Sequence, residues 1–282
     1  MRRSRHLFPG CAGKGKLAQH GGGARGGDVE IVTFMAGEAG PAALWFAAFA
    51  VALAFFLRGF AGFGASLLSV SALSLIWPPV EVVPVIFLLE VLASAVLLPG
   101  AFAHVNWRAL FWMFAGMVVA TPLGLALLMA LPAAAMALVI QAGVACAALA
   151  LLAGIGPKHA PGKAASAATG LAVGGLNGAA AIGGPPAVLF FFSVPGREEM
   201  ARASLIGFFL GTDLVAAGFA AWNGLYGSLE AWRFAFLAPV MVAAAFAGAH
   251  VFTRVDKALV RKVALIGLCL LALVGLMRGL MT

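Results

Sequence analysis

The feature that most constrains this chain is a succession of long, unbroken apolar stretches, such as residues 109–129 and 262–277. Crossing a bilayer as a helix takes ~20 apolar residues. Strands of a membrane barrel would instead alternate apolar and polar positions, and these runs do not alternate, so the spans read as helices. Composition supports this. Of 282 residues, 63% are hydrophobic and only 10% charged, and the mean hydropathy is +1.05. Soluble domains run near half apolar and a quarter charged, so this chain has too few polar side chains to solvate a folded surface. The sequence predicts an all-α integral membrane protein with lipid as its main partner.

The formal charge of +8 does not point to nucleic acid. Six of the eighteen basic residues fall in the first 25 positions and others cluster in short connections, as membrane proteins distribute them. Cys11, Cys146 and Cys269 have no metal or redox spacing, and no cofactor is expected. Residues 1–34 are rich in Gly, Arg and His, lack apolar periodicity and predict disorder, which makes 1–40 a polar tail. No secretory signal is expected, because the basic cluster stands far from the first apolar run. The stretch MAGEAGPAALWF from Met35 resembles a membrane-protein start, so the preceding residues are hypothesised to be upstream sequence. A native mass retaining Met1 or Arg2 would remove that idea.

About eight spans are expected. A first apolar region at 42–76 is too long for one simple crossing and is interrupted by the RGFAGFG stretch at 58–64. Spans at 82–102, 108–129 and 133–154 follow, then a linker at 155–164. A second long region at 165–194 is broken by GGLNG at 174–178 and GGPP at 183–186, and spans at 202–222, 231–252 and 259–280 complete the chain. The halves 41–154 and 165–282 match in order. Each opens with a Gly-broken first helix, then has a span with one lone acid (Glu90, Asp213), a Trp-Arg pair (Trp107-Arg108, Trp232-Arg233), a later Gly (Gly124, Gly248) and a plain closing span. Two four-helix repeats, offset by roughly 120 residues, are therefore expected, a pattern typical of transporters. If each broken segment crosses once, the repeats are parallel; if one re-enters, they are inverted. With single crossings, charge bias supports a cytoplasmic N-terminus only if the tail counts; outside the tail five basic residues fall on the N-terminal side and six on the other, which does not decide orientation.

Chemistry is expected at the breaks. Open backbone inside hydrocarbon costs several kcal/mol per unpaired group, so a broken helix lines a polar site or is buried in protein, and its free N–H groups suit an anion. Glycine also permits close helix packing, and that reading stands beside the first. Arg58 sits inside the first apolar region and either snorkels at a helix end or binds an anion. The substrate set expected from these arguments is Arg58, Gly59, Gly62, Gly64 and Ser66 with Asn177, Gly178, Gly183 and Gly184. Glu90 and Asp213 are intramembrane acids, functional by default, as proton-coupling groups or as partners of Arg58. His104, His250, Trp107 and Trp232 read as interfacial. No serine-protease, paired-Asp, zinc or P-loop motif is present, so no catalytic or metal residue is expected.

The RGFAGFG stretch with the Ser/Leu helix after it, PPVEVVP at 78–84, HVNWR at 104–108, TPLG at 121–124 and the 174–186 block together resemble the sulfite exporter TauE/SafE family. The resemblance covers about 40–280. It implies an eight-span inner-membrane permease of two repeats that moves sulfite, sulfoacetate or other organosulfonates, some members exporting and others importing. GGPP at 183–186 departs from the longer glycine run commoner in the family. A small anion is thus the expected substrate. A membrane enzyme acting on a lipid-linked phosphate and a non-catalytic assembly protein are the alternatives.

Overall fold

The computed structural model describes residues 24–37, 40–61, 63–153, 162–191, 198–251, 273 and 277. These form ten α-helices: α1 (Ala24–Ala36), α2 (Pro41–Ala61), α3 (Ala65–Leu73), α4 (Pro79–Leu97), α5 (Trp107–Ala130), α6 (Ala133–Leu152), α7 (Lys163–Ala180), α8 (Gly184–Phe191), α9 (Glu198–Trp222) and α10 (Ser228–Val251). Five helices are long and apolar enough to cross a membrane, namely α2, α4, α5, α9 and α10, and α6 adds a shorter apolar stretch, Ala133–Ala147. The eighth expected span, 259–280, and most of the linker lie outside the described residues. Large apolar side chains on the outer faces stay uncovered, among them Trp45, Phe49, Phe111, Leu123 and Trp222. An apolar exterior over a packed interior is what a lipid-facing bundle requires.

Both glycine regions open the backbone, although not everywhere the sequence suggested. α2 ends at Ala61, and Gly64 adopts a left-handed φ of 93° at the start of α3, a conformation open to glycine at no steric cost. In the second half the chain leaves α7 through Ala181, a non-glycine residue at φ 56° whose N–H bonds the Asn177 carbonyl at 2.8 Å. GGLNG at 174–178 is not a break but lies within continuous α7. Its glycines serve packing. A Cβ on Gly174 would strike the Met117 carbonyl of α5, one on Gly178 the Thr121 carbonyl, and Gly116 and Gly124 of α5 meet the α7 backbone in the same way. Gly59 of α2 and Gly248 of α10 make a matching close contact. At these positions the close-packing account of glycine describes the backbone.

The last part of the expected tail is ordered, since residues 24–36 form α1; residues 1–23 lie outside the described residues. Tertiary contacts hold it. The buried Trp77 indole N–H donates to the Ala36 carbonyl at 3.0 Å, and Arg233 Nε donates to the Met35 carbonyl at 3.0 Å. Arg233, stacked 3.9 Å over the Trp77 ring, also pairs with Glu81 at 2.9 Å.

These contacts define one end of the bundle, here the near end, where α1 finishes and α2, α4 and α10 begin. Tyr226, between α9 and α10, joins it by donating to the Pro84 carbonyl of α4 at 3.2 Å. At the far end the Asn106 N–H before α5 donates to Ser204 Oγ of α9 at 2.9 Å. Lys163 of α7 lies 5.4 Å over the Trp112 ring of α5, and Arg202 of α9 donates to the Gly59 carbonyl at 3.1 Å. The chain therefore enters α2 at the near end and is back there by Trp77. It likewise enters α7 at the far end and begins α9 there. Each broken segment turns back inside the bundle. α5 packs on α7, α2 on α10 and α4 on α9. Ser71 of α3 and Gln141 of α6 exchange two hydrogen bonds, at 2.5 and 2.9 Å, which pin the returning helix.

Candidate functional site

Where the two returning segments approach α4 and α9, the structure buries a guanidinium and two carboxylates. Arg58, in the last turn of α2, is 1% exposed. Its Nη1 lies 2.5 Å from Glu90 Oε2 of α4, its Nη2 donates to Ser94 Oγ one turn further along α4 at 2.6 Å, and its Cζ sits 5.3 Å over the Phe209 ring of α9. The side chain turns inward, so the snorkelling reading does not hold. Ser66, in the first turn of α3, lies beside the Glu90 carboxylate. Asp213 on α9 is 2% exposed and accepts a hydrogen bond from Asn177 Nδ2 of α7 at 2.8 Å. Glu90 and Arg58 both lie close enough to Asp213 to act on its charge.

A buried ion pair persists only with good geometry and further hydrogen bonds, because each ion loses several kcal/mol of hydration. Arg58 and Glu90 have the geometry, yet Arg58 Nε and Ser69 Oγ of α3 find no hydrogen-bond partner among the described residues. One cation facing two acids also leaves a negative excess if all three ionise. The arrangement holds spare donor and acceptor capacity, and its charge is balanced only with one proton aboard.

The remaining expected residues separate by role. Gly64 forms the turn into α3. Gly183 sits against Asn177, and Gly184 faces the Phe209 ring at 3.9 Å from its would-be Cβ. Gly59 and Gly178 are engaged in helix contacts with α10 and α5. Gly62 lies outside the described residues. Ser94 and Phe209 were missed by sequence reasoning. A serine four residues after Glu90 on one helix face carried a signal, whereas a phenylalanine among 22 carried none.

The profile of the sulfite exporter TauE/SafE family matches residues 47–275, most of the chain and all of the site. The chain belongs to the TauE/SafE family. It is a multi-pass membrane transporter, and the reading as an enzyme on a lipid-linked substrate falls away. Among curated proteins, a probable sulfite/organosulfonate exporter TauE from Cupriavidus necator is 27% identical over 194 residues, covering 66% of this chain and 75% of that one. No solved structure matches. In this TauE/SafE protein the expected proton-coupling acid Glu90 is the ion-pair partner of Arg58, while Asp213 is held by Asn177 across the second break.

Proposed function

We propose that this protein is a secondary transporter that carries a small sulfur oxyanion, sulfite or an organosulfonate, across the cell inner membrane, with Arg58 as the anion contact. The observation that carries the reading is the buried Arg58, whose charge partner is a carboxylate on a neighbouring helix. An arriving oxyanion competes with Glu90 for the same planar donors, which suit sulfite or sulfonate oxygens as they suit carboxylates. When Glu90 lets go, holding its bare charge in that place costs several kcal/mol, so it takes up a proton. Binding of one anion thereby brings in one proton, and the buried charge stays balanced. Asp213, tied to Asn177, holds or passes the second proton. Gly64 and Ala181 give the two breaks their turns, Gly183 packs against Asn177, and the Ser66 amide adds a donor to the same anion.

The fold supports alternating access. Segments that return from opposite ends, with α2 on α10 answering α7 on α5, favour two repeats of inverted topology, so that one half can rock against the other around a fixed site. Orientation follows from charge. Outside α1 and the basic tail that leads into it at the near end, the described far-end positions carry Arg108, Lys163 and Arg202 and the near end carries Arg233. With the tail left out, that excess favours the far end as the cytoplasmic side, the side from which export would load.

The test is sulfite flux in proteoliposomes. Arg58→Ala is expected to abolish saturable flux, and Arg58→Lys to retain a small part of it. Parental flux in Arg58→Ala would refute the anion role.

A further inference from the structure

The far end contains a cavity of about 210 Å³ whose walls include Leu97, Ala101, His104, Glu199, Arg202 and Ile206. Leu97 and Ile206 make part of it apolar. Among the described residues, three titratable groups face it. His104 and Glu199 stand at the rim, both largely exposed and 3.8 Å apart, so water screens them and they contribute little. Arg202 is half-buried and reaches inward, its Nη2 donating to the Gly59 carbonyl at 3.1 Å. That carbonyl belongs to the last turn of α2, where helix carbonyls lack intrahelical partners, and Gly59 is the neighbour of Arg58 in the chain. The cavity is therefore connected, through one guanidinium and one peptide, to the buried ion pair. An oxyanion approaching from this end meets a planar five-donor cation before it reaches Arg58. The acid nearest the deeper arginine, Glu90, is already occupied by it.

We infer that this cavity is an anion-loading site, in which Arg202 makes the first contact with a sulfite or sulfonate group before Arg58 receives it. The inference rests on the transport reading above, but its test is independent of flux. Arg202 also caps α2, so a purely structural role must be distinguished from loading.

The experiment uses the full chain with Cys11, Cys146 and Cys269 replaced by serine and with Ala101→Cys added in the cavity wall. Labelling rates are compared for a sulfonatoethyl, a trimethylammonioethyl and an uncharged methyl methanethiosulfonate. The sulfonate reagent is expected to outpace the ammonium reagent, and added methanesulfonate to slow it. Arg202→Gln is expected to lower the anion-to-cation rate ratio about tenfold, as loss of one half-buried charge within several ångströms predicts, and to remove methanesulfonate protection. The uncharged reagent should react as before. Arg58→Ala should keep the protection, because loading precedes transfer. A capping role alone predicts an unchanged ratio with a lower melting temperature, and that result overturns the inference. So does absence of methanesulfonate protection with Arg202 intact, an outcome that needs no arginine variant to fold. Protection without flux would bring down the transport reading and leave the loading site standing.

Discussion

If Glu90 competes with substrate for Arg58, making Glu90 neutral should tighten anion binding and uncouple it from proton uptake. The pair is 2.5 Å apart and both residues are almost wholly buried. Taking charge centres about 4 Å apart and an effective dielectric near 20 gives roughly 4 kcal/mol of gross attraction. Glu90→Gln keeps the shape and one neutral hydrogen bond worth about 1 kcal/mol. About 3 kcal/mol of competition is therefore removed, which corresponds to roughly a hundredfold in affinity. The same change leaves Arg58 as a buried charge without its acid, a loss of about 3–5 kcal/mol in stability, part of which an anion restores by taking the vacant place. Glu90→Gln protein in detergent should thus melt lower than the parent without sulfite and show a larger rise in melting temperature as sulfite is added. Calorimetric titration in buffers of different ionisation enthalpy should count about one proton taken up per anion in the parent and close to none in the variant. Affinity within a fewfold of the parent, with proton uptake unchanged, would refute the competition.

Three other outcomes follow from the packing. Gly124→Ala places a methyl group against the Gly175 carbonyl and 2.7 Å from the Ala179 nitrogen, so α5 and α7 must separate; a loss of about 1–3 kcal/mol is expected in detergent melting, whereas Gly175→Ala, which meets nothing within 4 Å, should be near neutral. Trp77→Phe removes the indole bond to Ala36 at a cost of about 1 kcal/mol, and hydrogen exchange should rise in 24–36 while the Arg58 region is unaffected. With the far end in the cytoplasm, a cysteine at Ala103 should be shielded from a membrane-impermeant maleimide in intact cells, and one at Asn223 should react; the reverse pattern would invert the assignment.

The sequence determined what short-range chemistry can settle. Uninterrupted apolar runs required lipid-spanning helices, because the other structure that satisfies the backbone in hydrocarbon, a closed barrel, needs apolar and polar positions to alternate. Charged residues at 58, 90 and 213 within those runs marked where the interior is polar, because such charges are too costly to keep without a partner. Glycine alone did not separate a break from a contact. The same residue type turns the chain at Gly64 and lets two continuous helices touch at Gly174 and Gly178, and which it does depends on whether another backbone lies against it. Only tertiary structure paired Arg58 with Glu90 rather than with Asp213, ordered 24–36 through Trp77 and Arg233, and returned both broken segments to the ends they came from. That last feature also changes the charge count between the two ends. Each of these depends on partners far apart in the chain, and a hydropathy pattern, which repeats along one helix, carries no information about which helix will face it.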